Sequence, residues 1–159
     1  EVRDWLAANM PGDSLRPSIL HGDYRIDNVI LDSEDPCKIL AVLDWEICAL
    51  GDPLMDLGNS LAYWIQDDDP IQLKSLLVQP SNVPGMLTRS EILDLYQERT
   101  GIDASSFTFY QVYGYWRLAV ILQQIYFRYF HGQTQDARFK TFGQAVQQLG
   151  KHCQGLISA

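Results

Sequence analysis

The sequence predicts a mainly helical α+β fold in which one small β-hairpin is held by several helices. Two short apolar runs rich in β-branched residues, 29–31 (Val-Ile-Leu) and 39–43 (Ile-Leu-Ala-Val-Leu), flank a polar segment with the composition of a turn. After residue 52 the apolar residues recur mostly at helical spacing. Together these patterns indicate a hairpin near the N-terminus followed by a helical region.

Composition limits the classes of function. The 159 residues, 47% hydrophobic and 20% charged, are those of one globular domain with a substantial core. The net charge of -8 argues against binding to nucleic acid or to an anionic membrane surface. We find no signal peptide and no apolar run of about 20 residues, so we expect no membrane span. The 3 cysteines have neither zinc-site nor disulfide-framework spacing, so we expect a reducing, cytoplasmic location.

The hairpin has a predicted register. Residues 1–19 are expected to be the end of a helix and a linker that leads to the segment 20–58. If Pro36 lies at the centre of the turn, Asn28 pairs with Asp44, about 5 Å away across the two strands. A β-bulge would shift this pairing by about two residues.

The helices follow in order. Asp52-Pro53 predicts a helix start, with Asp as N-cap and Pro in the first turn, and the helix is expected to reach Trp64. The segment 67–87 is irregular, and two interpretations stay open: a lid over a substrate or a plain surface loop. Its first three residues, all aspartates, are interpreted as a solvated helix end rather than a metal site.

Three further helices are predicted beyond that segment. A capping box, Thr88-Arg89-Ser90-Glu91, begins a helix that ends near Gly101. A long aromatic-rich helix over 106–131 is expected to be the buried centre of a helical lobe. Arg117 and Arg128 in it are candidates for contact with a substrate or a buried carboxylate, or else their charged ends reach the surface. The last helix is expected over 135–156.

The polar residues near the hairpin have the chemistry of a metal and phosphate site. Mg²⁺ prefers hard oxygen ligands and commonly takes one or two carboxylates, with phosphate oxygens and water completing the set. Asn28 and Asp44 would supply an amide oxygen and a carboxylate. Asp23 lies in the preceding loop, where a carboxylate can orient a hydroxyl and accept its proton. Arg25 can bring positive charge to a transferring phosphoryl group.

The same residues carry a family resemblance. The segment 21–28 (His-Gly-Asp-Tyr-Arg-Ile-Asp-Asn) resembles the catalytic loop of the protein-kinase-like fold. Followed by a hairpin and Asp-Trp-Glu at 44–46, it looks like the aminoglycoside phosphotransferase/choline-kinase branch. The continuation over 51–58 (Gly-Asp-Pro-Leu-Met-Asp-Leu-Gly) is especially similar to the members also found fused to acyl-CoA dehydrogenases. The resemblance is strong over about 20–64 and weaker beyond.

The resemblance implies a role for each matched residue. Asp23 would be the catalytic base and Arg25 the basic residue that faces the γ-phosphate of ATP. Asn28 and Asp44 would be the Mg²⁺ ligands, and with Arg25 they would bind the nucleotide. His21 and Asp56 would be structural supports of the loop. The roles of Asp27 and Glu46 stay open.

The resemblance also implies a domain organisation. Residues 1–19 would be a helix end and linker from an N-terminal kinase lobe that the chain lacks, and 20–159 the C-terminal lobe. Within that lobe, 20–50 would hold the catalytic loop and hairpin, and 52–159 the helical substrate lobe. The chain alone is therefore expected to bind ATP weakly or not at all. Two hypotheses remain: a small-molecule kinase acting on a substrate hydroxyl, and a non-catalytic kinase-like binding module.

Overall fold

Two small antiparallel sheets and six α-helices make up the computed structural model, which describes residues 1–14 and 16–158. The helices are α1 Val2–Ala8, α2 Pro53–Ala62, α3 Ile71–Lys74, α4 Arg89–Thr100, α5 Thr108–Phe130 and α6 Phe142–Ser158. The strands are β1 Ser18–Leu20, β2 Val29–Leu31, β3 Ile39–Val42 and β4 Ala49–Gly51. The predicted mainly helical α+β class is therefore confirmed.

Strands β2 and β3 form the predicted hairpin, but the predicted register is wrong by one residue. Val29 pairs with Val42, and an irregularity between Ile30 and Leu31 shifts the pairing nearer the turn. The Leu43 N–H donates to the Asn28 carbonyl over 2.8 Å. Asn28 therefore lies opposite Leu43, and Asp44 follows one position beyond because the bulge changes the count of residues around the turn.

A second sheet pairs β1 with β4, with Ile19 opposite Leu50. The sequence did not predict it, since residues 18 and 19 were expected to be linker and β4 has no alternating pattern. Strand β1 ends directly before the loop at 21–28, and the loop ends where β2 begins. The loop is consequently held at both ends by strands from two different sheets.

Helix α2 starts as predicted, because Asp52 accepts a hydrogen bond from the Leu54 N–H over 3.0 Å and Pro53 opens the first turn. It crosses α5 at very close range. A Cβ built on Gly114 would lie 2.2 Å from the Gly58 carbonyl oxygen, so both helices need glycine at the crossing. The helix ends at Ala62, slightly before the predicted end at Trp64.

The segment 67–87 is bound to the core and contains the short helix α3. Leu73 is 2% exposed, and Asp69 is 8% exposed where a solvated helix end was predicted. Asp69 instead forms a buried ion pair with Arg89, whose Nη1 donates to Asp69 Oδ2 over 2.8 Å. An aspartate can be buried at this position because a guanidinium provides a matched charge.

Helix α5 is buried along its first half and exposed along its second. Val112 and Tyr115 are at most 1% exposed, whereas Phe130 is 71% exposed, so the first half of the helix is the predicted buried centre and the second half is not. Helix α6 packs against α5 through Leu149 and Cys153. None of the helices in the described ranges combines the length and the hydropathy that crossing a bilayer requires.

Candidate active site

The loop at 21–28 is anchored by one carboxylate of α2. Asp56 accepts the backbone N–H groups of His21 and Gly22, over 2.6 and 2.7 Å. The Gly22 φ of 83° lies in the left-handed region, and a Cβ there would lie 3.1 Å from Ile47. Asp56 therefore sets the path of the backbone immediately before Asp23.

His21 joins this loop to the end of β3. His21 is 3% exposed, its Nε2 lies 2.6 Å from the Leu43 carbonyl oxygen, and its Nδ1 accepts the Asp23 N–H over 3.2 Å. A carbonyl can only accept, so these contacts assign the neutral tautomer with hydrogen on Nε2. The ring also contacts Trp45 at 4.7 Å between ring centroids. His21 thus contacts both neighbours of Asp44, the carbonyl of Leu43 and the ring of Trp45.

Asn28 and Asp23 are in direct contact. Asn28 is 8% exposed, and its Nδ2 donates to the Asp23 carbonyl over 2.8 Å and to Asp23 Oδ2 over 3.4 Å. Because both donations use the amide nitrogen, the Oδ1 of Asn28 keeps its lone pairs for a ligand. The contact also orients one oxygen of the Asp23 carboxylate.

Asp44 follows β3 with a φ of 65°, which is uncommon for a residue other than glycine. Its carboxylate is exposed and accepts no hydrogen bond from the residues that the structure describes. It makes no hydrogen bond with Asn28, whose carbonyl accepts the N–H of Leu43, the residue before Asp44. Its unusual backbone angle and unpaired carboxylate are what a ligand-binding residue would show.

The available donors fit a Mg²⁺ ion shared with phosphates. Among the residues the structure describes, no group of three or more His, Cys, Asp or Glu side chains could hold a metal ion by itself. Asn28 Oδ1 and the Asp44 carboxylate are hard oxygen donors left unused by the protein. An ion that takes one or two carboxylates plus phosphate oxygens needs little more from the chain.

Arg25 lies between two carboxylates and an aromatic ring. Its Nη2 is 3.3 Å from Asp23 Oδ2 and 3.3 Å from Asp27 Oδ2. The guanidinium carbon is 4.8 Å from the centre of the Tyr63 ring, a cation–π distance. Its Nε is buried and has no hydrogen-bond partner among the described residues. Asp27 thus balances Arg25, whereas Glu46 is exposed within the turn that follows Asp44.

Tyr63 and Gln79 belong to this site, although no sequence pattern indicated either residue. Burial raises the pKa of the Tyr63 phenol, and the charge of Asp23 raises it further, while the charges of Arg25 and Arg117 act in the opposite direction. The phenol therefore remains a hydrogen-bond donor at neutral pH. No motif surrounds Tyr63, so only its position at the end of α2 would have suggested it.

Gln79 links the segment 67–87 to the loop. It is 8% exposed, its Oε1 accepts the Ile26 N–H over 3.4 Å, and its Nε2 donates to the Tyr63 carbonyl over 3.2 Å. Ser60 adds a further tie, since its hydroxyl donates to the Tyr24 carbonyl over 2.8 Å. The loop is consequently held from α2 and from the irregular segment together.

A helical domain that holds an aspartate, an arginine and an asparagine on one short loop beside a hairpin carboxylate has the organisation of a kinase-like phosphotransferase. The model of the phosphotransferase enzyme family APH matches residues 1–91, more than half of the 159 residues. The chain belongs to this family.

Known proteins extend the match over nearly the whole chain. Acyl-CoA dehydrogenase family member 11 of Pongo abelii is 32% identical over 155 residues, and family member 10 of Mus musculus is 34% identical over 149 residues. A crystal structure assigned as an aminoglycoside phosphotransferase from Ralstonia eutropha JMP134 is 30% identical, with a TM-score of 0.78 over 98% of this chain. The predicted resemblance to this branch is confirmed.

These proteins are all longer. The chain spans 19% of the family member 11 protein, 14% of the family member 10 protein and 47% of the chain in the crystal structure. The activities of those whole proteins are therefore only proposals for this chain.

Proposed function

We propose that this chain is the catalytic C-terminal lobe of a protein-kinase-like small-molecule kinase, located in the cytoplasm, which moves the γ-phosphoryl group of ATP to a substrate hydroxyl. The observation that carries the proposal is the contact of Asp23 with Asn28 and Arg25 on one loop. This contact places a proton acceptor, Asp23, directly beside an oxygen ligand, Asn28, and a cation, Arg25. Phosphoryl transfer needs these three groups together.

Asp23 is assigned as the base. Its carboxylate is partly exposed and held in direction by Asn28 Nδ2 and Arg25 Nη2. It would orient the acceptor hydroxyl and take its proton as the oxygen attacks phosphorus. General-base assistance of this kind is worth roughly 10²–10⁴-fold, and most of the remaining catalysis is positioning and charge neutralisation.

Asn28 and Asp44 are assigned to hold Mg²⁺, which when bound would neutralise the phosphate charges of ATP. Asn28 contributes Oδ1 and Asp44 its carboxylate. Arg25 would face the transferring phosphoryl group, since Asp23 and Asp27 share one of its nitrogens and its Nε has no partner. His21 and Asp56 hold the loop and take no part in the chemistry.

An N-terminal kinase lobe is proposed as the partner of this chain. Its support is the apolar surface of the two sheets, where Ile19 is 69%, Leu50 80% and Leu40 55% exposed. Monomeric domains seldom leave many large apolar side chains exposed on neighbouring strands. Such a lobe would supply the glycine-rich loop and the lysine that phosphate binding requires. Without it, this chain is expected to bind MgATP weakly or not at all.

The assignment is tested by replacing Asp23 and Asp44 in the complete protein. Asp23→Asn is expected to lower the transfer rate by at least roughly 100-fold and to leave the Kd for MgATP unchanged, because it removes the proton acceptor and keeps the shape. Asp44→Ala is expected to weaken nucleotide binding in the presence of Mg²⁺ and not in its absence. Asp94→Asn, on the exposed side of α4, is the control.

Two results would contradict these roles. Transfer at the control rate by Asp23→Asn would exclude Asp23 as the base. Equal Mg²⁺-dependent affinity in Asp44→Ala would exclude the metal assignment. A complete wild-type protein that binds MgATP and transfers phosphate to no hydroxyl compound would favour the non-catalytic binding module instead.

A further inference from the structure

Helix α5 directs one charged residue toward the junction of α2 and the loop. Tyr110 and Gly114 both contact Gly58 of α2, so their side of α5 is the one that packs on α2. Arg117 is three residues beyond Gly114 and seven beyond Tyr110, which places it on the same side, one turn further along. The contact of Gly114 with Ala62 shows that α2 advances in the same direction. Arg117 therefore lies beside the end of α2, where Tyr63 follows Ala62.

Arg117 is a partly buried cation without a matching charge. It makes no hydrogen bond and no ion pair with any residue in the ranges 1–14 and 16–158. Arg25 differs, because Asp23 and Asp27 both pair with it. Partial burial of a charge without a partner costs free energy, and a bound anion would offset that cost.

The surroundings of Tyr63 connect Arg117 with the loop. The charges of Asp23 and Asp27 raise the pKa of the phenol and those of Arg25 and Arg117 lower it, which agrees with the placement of Arg117 beside Tyr63 by the helix crossing. Arg25 contacts the Tyr63 ring and has an unpartnered Nε–H. Two groups that can bind an anion, the Arg117 guanidinium and the Tyr63 hydroxyl, thus lie on the helical side of Asp23, whereas Arg25 is assigned to the transferring phosphoryl group.

The helical side is where the acceptor must approach. The assigned metal ligands Asn28 and Asp44 lie toward the hairpin, which is the side on which the proposed function places the nucleotide. The acceptor hydroxyl must reach Asp23 from another direction, and α2 and α5 border that direction.

We propose that Arg117, with the Tyr63 hydroxyl, forms an anion subsite for the acceptor, and that the acceptor carries a phosphate or carboxylate group besides its hydroxyl. This inference rests on the proposed kinase function. It separates the acceptor from a polycation, which an unpaired guanidinium would repel.

The anion subsite is tested with inorganic phosphate and acetate, and no phosphoryl transfer is needed. The anions are titrated into the ¹⁵N-labelled protein at constant ionic strength, and amide shifts are followed by NMR. The wild-type shifts are expected to centre on residues around Tyr63 and Arg117. Arg117→Gln should raise the Kd at least tenfold, whereas Arg128→Gln, an exposed arginine on the same helix, should leave it within twofold.

Each outcome decides the proposal. It is overturned if Arg117→Gln binds like the wild type, if the shifts centre elsewhere, or if the wild type binds neither anion. Should Arg117→Gln fail to fold, Arg117→Met decides, since it keeps the length of the side chain, removes the charge and should also raise the Kd at least tenfold. The anion that binds with the lower Kd, phosphate or acetate, identifies the group that the acceptor carries.

A nucleotide phosphate could use the same cation, so MgATP is titrated into the complete protein as well. Arg117→Gln is expected to leave the Kd for MgATP unchanged while anion binding falls. A loss of MgATP affinity equal to the loss of anion affinity would assign Arg117 to the nucleotide and overturn the acceptor subsite. Failure of the kinase function would appear instead as absent transfer with anion binding intact.

Discussion

Asp56 offers the most direct test of how the loop is held. Its carboxylate accepts two backbone N–H groups, from His21 over 2.6 Å and from Gly22 over 2.7 Å. Asp56→Ala removes both acceptors and leaves the loop without its tie to α2. We expect a loss of stability together with a loss of order immediately before Asp23.

The size of the effect follows from these contacts. A hydrogen bond to a charged group contributes about 1.5–3 kcal/mol, so two give roughly 3–6 kcal/mol. Asp56 is partly exposed and water can replace part of the contact, which favours the lower end, about 3 kcal/mol. For a domain of this length that corresponds to a fall in Tm of roughly 6–12 °C. Asp56→Asn keeps one acceptor oxygen and should lose about half as much.

Urea unfolding followed by tryptophan fluorescence measures this change. Trp45 is a suitable reporter because its ring contacts His21. Amide hydrogen exchange provides the local measurement, since the His21 and Gly22 amides should lose protection in the variant. The control is Asp94→Ala on the exposed side of α4, which should change stability by less than about 0.5 kcal/mol. Equal losses in both variants, with unchanged protection at His21, would refute the anchoring role.

Two further predictions concern packing and charge. Gly114→Ala brings a Cβ to 2.2 Å from the Gly58 carbonyl oxygen and should lower the free energy of unfolding by about 2–3 kcal/mol. Gly150→Ala, with no atom within 4 Å, should raise it by up to about 1 kcal/mol. If urea unfolding shows that both variants change the free energy in the same direction, the tight crossing of α2 and α5 is excluded. Burial raises the pKa of Asp69, but hydrogen bonds from Arg89 and the backbone outweigh burial and hold the pKa below its ordinary value. The stabilisation is therefore present at neutral pH and lost as the pH falls below about 4. Urea unfolding of Asp69→Asn should show its largest deficit at pH 7 and a smaller one at pH 3, and a deficit independent of pH would contradict the ion pair.

The local features of this protein follow from the sequence alone. Asp52 caps α2, and the Thr88–Glu91 capping box begins α4. Gly101, with a φ of 68°, ends α4. Each of these interactions joins residues within about four positions, so side-chain chemistry at known spacing is sufficient. The hairpin is predictable for the same reason, because a polar turn separates two β-branched runs.

Longer-range pairing could not be obtained this way. The hairpin register differs from prediction by one residue, since the irregularity at Ile30/Leu31 is set by how the strands pack. Strands β1 and β4 are three residues each, and they pair because the loop and α2 bring them together. Asp69 is buried because Arg89 reaches it from α4, which no local pattern indicates.

The sequence by itself determined the fold class, the family and the set of polar residues on the loop and hairpin, because those residues stand at short, regular spacings. Only the tertiary structure added Tyr63, Gln79 and Arg117 to the same site. Tyr63 is there because α2 ends beside the loop, and Gln79 because a buried segment returns to Ile26. Arg117 is there because two glycines let α5 cross α2 at backbone contact. Distances between such groups depend on how helices pack, and that is decided by the whole core rather than by neighbours in the chain.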